Sequence, residues 1–74
     1  MKAMEVVRMV ARNKGIALGN IGLELGKSRQ YVNAIITKGN TPKATTLSRM
    51  LDVCDYKLCA VPDELVTDEM LEID

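Results

Sequence analysis

The sequence predicts an all-α fold of four to five short helices in one small domain, and three observations carry that prediction. Apolar residues recur at helical spacing in several separate stretches. Glycines and polar loops punctuate those stretches. The chain has 74 residues, enough for one core and no more. Phe and Trp are absent and only two Tyr occur, so that core is aliphatic, drawn from Leu, Ile, Val and Met. A core this thin gains from association with a second copy, and a large ligand cavity would hollow it out. No apolar run approaches the roughly 18 residues that cross a bilayer. Glu5, Arg8 and Arg12 interrupt the start of the chain, so no signal peptide is expected and the expected compartment is the cytoplasm.

The first helix is expected over residues 2–14. Met4, Val7, Val10 and Ala11 form one broad apolar face, with Val6 and Met9 beside it. Gly15 suits the position just past its end, and Arg12 and Lys14 suit the negative pole of the helix dipole. Such a helix either faces a core or lies on a membrane surface.

Residues 18–37 read as two short helices joined at Gly26. Leu18, Ile21 and Leu25 make the first apolar set; Val32, Ile35 and Ile36 make the second. Gly26-Lys27-Ser28 breaks the period between them, with the glycine free to take positive φ and Ser28 placed to cap the second helix. Gly22 sits inside the first helix at about 1 kcal/mol below alanine in propensity. A helix accepts that where another stretch of backbone passes close by.

This arrangement resembles the helix-turn-helix of the lambda-repressor/Cro-like (XRE-type) DNA-binding domains. The likeness spans roughly residues 2–58. Ile21, Gly22 and Leu25 fill that family's apolar, small and apolar positions on its first motif helix. Gly26 is its turn glycine, and Val32 and Ile35 are its inward residues on the recognition helix. One position departs: the family often opens its first motif helix with a phosphate-touching glutamine, where this chain has Leu18. The resemblance implies a core-facing first helix and a recognition helix near residues 28–37. It also implies double-stranded DNA as the partner.

On that helix Arg29, Gln30, Asn33 and Thr37 stay on the outer face and are the expected base contacts. Arginine can bond two guanine acceptors, and Gln or Asn can do the same on adenine. Lys27, Ser28, Tyr31, Lys38, Asn40, Thr41 and Lys43 flank the face and are the expected phosphate contacts. Tyr31 either packs its ring against the body or reaches a phosphate with its hydroxyl. The bland alternative for the whole face is a solvated helix surface.

Residues 38–43, with Gly39, Asn40 and Pro42, form a loop by composition. Leu47, Met50, Leu51 and Cys54 then repeat at helical spacing, in a helix capped either by Thr41, with Pro42 in its first turn, or by Thr45. Residues 56–61 read as a short strand, with a fifth helix or an irregular cap as the alternatives. A lone strand needs a partner for its backbone groups. The same strand of a second copy would supply one, with Tyr56, Leu58, Cys59 and Val61 as the expected dimer contacts. Cys54 and Cys59 have no histidine beside them and the wrong spacing for a metal site, so buried thiols are expected, with no metal and no cofactor. Without histidine there is no ready general base, and Ser28 and Ser48 have no triad partners, so no enzyme is expected.

Net charge is zero, but its distribution is lopsided. Residues 1–62 hold all ten Lys and Arg with four acids; residues 63–74 hold six acids and no base. The DNA-binding domain is thus placed at 1–62, with a sign suited to phosphates, and an acidic tail at 63–74. The tail is either disordered or an amphipathic helix with Val66, Met70 and Ile73 on one stripe, able to dock on its own basic body or on another protein. The expected function is a transcriptional regulator, most simply a repressor, bound as a homodimer to a pseudo-palindromic operator. By resemblance its setting is a bacterial or phage-infected cell. Two other readings are an antitoxin-type regulator, which also binds a toxin through its C-terminal region, and a protein-interaction module that no longer binds DNA.

Overall fold

Four apolar stretches become helices in the computed structural model, which describes residues 1–74: α1 (Ala3–Lys14), α2 (Leu18–Glu24), α3 (Tyr31–Lys38) and α4 (Ala44–Val53). A single 3₁₀ turn, Asp63–Leu65, follows. The fold is all-α, with no strand. No helix is long and apolar enough to cross a membrane.

The core forms where the four apolar faces meet. Helix α1 turns in Ala3, Met4, Val6, Val7, Val10 and Ala11, while Met9 lies on its outer side and is 40% exposed. Helix α4 supplies Leu47, Met50 and Leu51, and Cys54 just beyond it completes the layer. Ile21 and Leu25 enter from α2 and Val32 from α3. Burying Ile21, Met50, Val7, Val10 and Val32 completely stabilises the fold by about 1.5–3 kcal/mol each. Leu18 packs against the edge of this core, which gives that position an apolar role where a glutamine would face outward. Ile35 and Ile36 also turn inward but are only half-buried.

All four helices stop in the same way. Gly15, Gly26, Gly39 and Asp55 take left-handed conformations with φ of 68°, 77°, 70° and 62°. The next residue's N–H then reaches back to a helix carbonyl: Ile16 to Ala11 at 2.9 Å, Lys27 to Gly22 at 2.9 Å, Asn40 to Ile35 at 3.2 Å and Tyr56 to Leu51 at 2.9 Å. This is the Schellman closure, and it satisfies carbonyls that the helix end leaves open. Asp55 alone performs it with a Cβ, which the left-handed region disfavours. Asp55→Gly is therefore expected to stabilise the protein by about 0.5–1 kcal/mol, less than the full steric gain because glycine also loosens the unfolded chain. Thermal unfolding checks this; an unchanged or lower midpoint would mean that the aspartate is at ease there.

The helix starts differ from expectation. No side chain caps any of them; the N-cap residues of the four α-helices are Lys2, Ala17, Gln30 and Lys43. Ser28 uses its backbone instead: the Tyr31 N–H donates to the Ser28 carbonyl at 3.2 Å across a turn, so α3 begins two residues later than a cap at Ser28 predicts. Neither Thr41 nor Thr45 caps α4, which begins at Ala44 after Pro42 and Lys43.

The strand expected at 56–61 is not formed. The acidic segment faces these residues across a groove without pairing with them, and residues 57–61 make no backbone hydrogen bond. The acidic segment is likewise no helix beyond its 3₁₀ turn. Two apolar residues it half-buries, Val66 and Leu71, are five apart, a spacing that a helix does not place on one face. Instead the segment runs irregularly along α1 and α4 and returns to the start of the chain, where the Asp74 N–H donates to the Met1 carbonyl at 2.8 Å. The Met1 amino group donates to the Glu72 carbonyl at 3.1 Å and pairs with the Asp74 carboxylate at 3.2 Å.

The two thiols part company. Cys54 is fully buried, and burial pushes its pKa up, with nearby Asp55 adding to the shift and Lys14 opposing it. Cys59 is exposed, contrary to the expectation of two buried thiols, because the segment carrying it finds no cover. Iodoacetamide is expected to alkylate Cys59 in the native protein and Cys54 only on unfolding, as mass spectrometry of the modified peptides would show. The sign of the pH effect follows: the folded chain holds the Cys54 proton above the pH at which the unfolded chain releases it. Its contribution to stability is complete below the ordinary thiol range, and is lost as pH rises through that range toward the raised folded value.

Candidate nucleic-acid interface

The geometry starts from two glycines. Gly26 in the left-handed conformation reverses the chain after α2, with its N–H donating to Leu23 at 3.0 Å. The reversal lays the Ser28 carbonyl directly on Gly22, so closely that a Cβ at Gly22 would overlap it. The chain then enters α3 through the turn at 29–30, and the Ala34 N–H donates to the Gln30 carbonyl at 2.8 Å. Val32 is completely buried, which fixes the rotation of α3 about its own axis. Helices α2 and α3 pack on each other more extensively than any other pair.

With Val32, Ile35 and Ile36 turned inward, the opposite side of α3 is polar and exposed. Gln30, Asn33 and Thr37 stand at helical spacing along one stripe, with Arg29 beside its start. The stem of Arg29 lies against the first turn of α2: a Cβ at Gly19 would be 3.5 Å from the Arg29 Cβ and carbonyl oxygen. That support holds the stem while the guanidinium stays in solvent. All four expected base-reading residues are therefore exposed on one continuous surface. Ala34 joins it, exposed between Asn33 and Thr37, and sequence reasoning passed over it because a small apolar residue there reads as filler. A methyl group in that position suits contact with a thymine methyl.

The expected phosphate contacts surround the stripe unevenly. Lys27 sits over the Tyr31 ring, 5.7 Å from its centroid, and that ring packs against the core. Of the two alternatives for Tyr31, the ring packs on the body. Ser28 uses its carbonyl in the turn and leaves its hydroxyl exposed. Lys38 closes α3, and Asn40, Thr41 and Lys43 are exposed in the following loop. Here the tertiary fold adds residues that spacing does not reveal. Lys2 and Arg8 of the α1 region, with Glu5 between them, line a small cleft with Ile36, Gly39, Asn40 and Thr41. Nothing in the local sequence relates residues 2–8 to 39–41. Tyr56, Leu58, Cys59 and Val61 gather elsewhere, along one apolar groove formed with Val6, Leu51 and the acidic segment.

Comparison with protein-family models, curated proteins and solved structures finds no match to this chain.

Proposed function

We propose that this chain is a sequence-specific DNA-binding transcriptional regulator of the lambda-repressor/Cro-like kind, most simply a repressor. In this reading α3 enters the major groove. Arg29, Gln30, Asn33 and Thr37 read bases, while Lys27, Lys38 and the loop at 40–43 hold phosphates. Two copies would occupy a pseudo-palindromic operator. The observation that supports it best is the Gly22–Ser28 close approach, which presents α3 with Gln30, Asn33 and Thr37 along its outer side, beside flanking lysines.

Selection from a random duplex DNA pool at about physiological salt tests the reading. Enrichment of a palindrome with half-site centres about 34–36 Å apart is the expected result. A folded protein that enriches nothing, or whose DNA binding is insensitive to salt, would overturn it.

A further inference from the structure

The groove beside residues 57–61 is not used by the proposed DNA-binding face. It has a volume of about 510 Å³, and ten of its fourteen lining residues are apolar, Leu51, Leu58, Val61 and Met70 among them. Asp63, Glu69 and Glu72 line it too, with Lys57 as the one base. They belong to a segment, 63–74, that carries six carboxylates and no cation. A second and independent feature runs along the same groove. From Lys57 to Val61 no backbone N–H or carbonyl is hydrogen-bonded within the chain, so five consecutive residues keep their backbone donors and acceptors without a partner. Unpaired backbone of this kind is what an added strand pairs with.

We infer that this groove receives an extended, cationic and apolar segment of another protein, which pairs its backbone with 57–61. The open peptide groups select an extended partner over a helix. Apolar side chains on one face of that partner would fill the groove, and lysines or arginines would meet Asp63, Glu69 and Glu72. Charge decides against the occupant expected from sequence, the same segment of a second copy. Pairing 57–61 with itself across a two-fold axis would bring two such grooves together, each with Asp63, Glu69 and Glu72 against the single Lys57, so that like charge is added where a cation is needed. The inference is independent of whether α3 reads DNA.

The test uses the full chain and a short blocked peptide of alternating lysine and valine, with a glutamate–valine peptide as control. On adding the cationic peptide, amide exchange at 57–61 is expected to slow at alternate residues, as in a strand edge newly paired on one side. Glu69→Lys with Glu72→Lys, both at exposed positions, is expected to weaken binding at least ~10-fold. Leu58→Glu, which adds negative charge but spoils the groove, is expected to weaken it as well. Three outcomes overturn the inference. Tighter binding by Leu58→Glu would mean that the peptide only condenses on the acidic segment. Equal binding of the glutamate–valine peptide would remove the role of charge. Concentration-dependent protection of 57–61 without any peptide would give the edge to a second copy.

Discussion

Replacing Gly22 by alanine is expected to destabilise the protein by about 2–4 kcal/mol, although alanine is the better helix former by about 1 kcal/mol. The new methyl group would overlap the Ser28 carbonyl oxygen, which is backbone and cannot rotate away. Relief requires moving the turn at 26–30, and that turn is tied at both ends. Behind it Lys27 and Gly26 bond into α2; ahead of it Tyr31 bonds to Ser28 and Val32 is fully buried. A domain of this length holds on the order of 4–11 kcal/mol in total, so the change consumes much of what there is. The melting temperature should fall by roughly 10–25 °C. Gly19→Ala supplies the comparison within the same helix. A Cβ there meets Arg29 only at ordinary contact distance, 3.5 Å, so that variant should be neutral or gain up to about 1 kcal/mol of helix propensity. Urea or thermal unfolding of the pair decides the matter. Equal stability of the two variants would mean that the turn yields freely, and that the close approach does not hold α3 in place.

What the sequence made legible was whatever is local. The helix stops at Gly15, Gly26 and Gly39 were readable because positive φ is a property of one residue, and the apolar faces of α1 and α4 because spacing along a helix is one too. Helix starts are less legible for the same reason. Ser28, Thr41 and Thr45 are good caps by residue type, but the carbonyl at 28 is committed to the turn against Gly22, and α4 starts after Pro42 without a side-chain cap. The composition of 56–61 suits a strand, but composition cannot supply the neighbour that a strand requires. On the candidate interface, the stripe on α3 followed from turning Val32 inward. The approach of Lys2 and Arg8 to Asn40 and Thr41 arises only when α1 meets the end of α3, and residues that far apart in the chain leave no periodic trace. The groove belongs to the same class, since Val6 and Leu51 join Leu58 and Leu71 only in three dimensions.

Arg29→Ala is expected to cost about 1–3 kcal/mol on the selected DNA site and to loosen the base preference at one position of each half-site, with little loss on unrelated sequences. The position of Arg29 explains why it should matter more than its neighbours. It stands at the entry to α3, where recognition helices of this kind reach base edges, and its stem already rests beside Gly19. Less side-chain freedom is then lost on binding than for an arginine projecting from an open helix face. Lys38→Ala should behave in the opposite way. Lys38 is exposed at the last turn of α3 beside the loop, so its loss should weaken binding to all sequences alike and reduce the salt slope by about one. Fluorescence anisotropy on the selected duplex and on a scrambled one, each across a salt series, separates the two effects. If Arg29→Ala lowers both affinities equally, Arg29 is a phosphate contact, and base reading falls to Gln30, Asn33 and Thr37. If neither variant changes either affinity, α3 is not the helix that meets DNA, and the polar stripe is a solvated surface. The two variants probe sites at opposite ends of α3, so the pattern between them also tells which end of the helix meets bases and which meets phosphates.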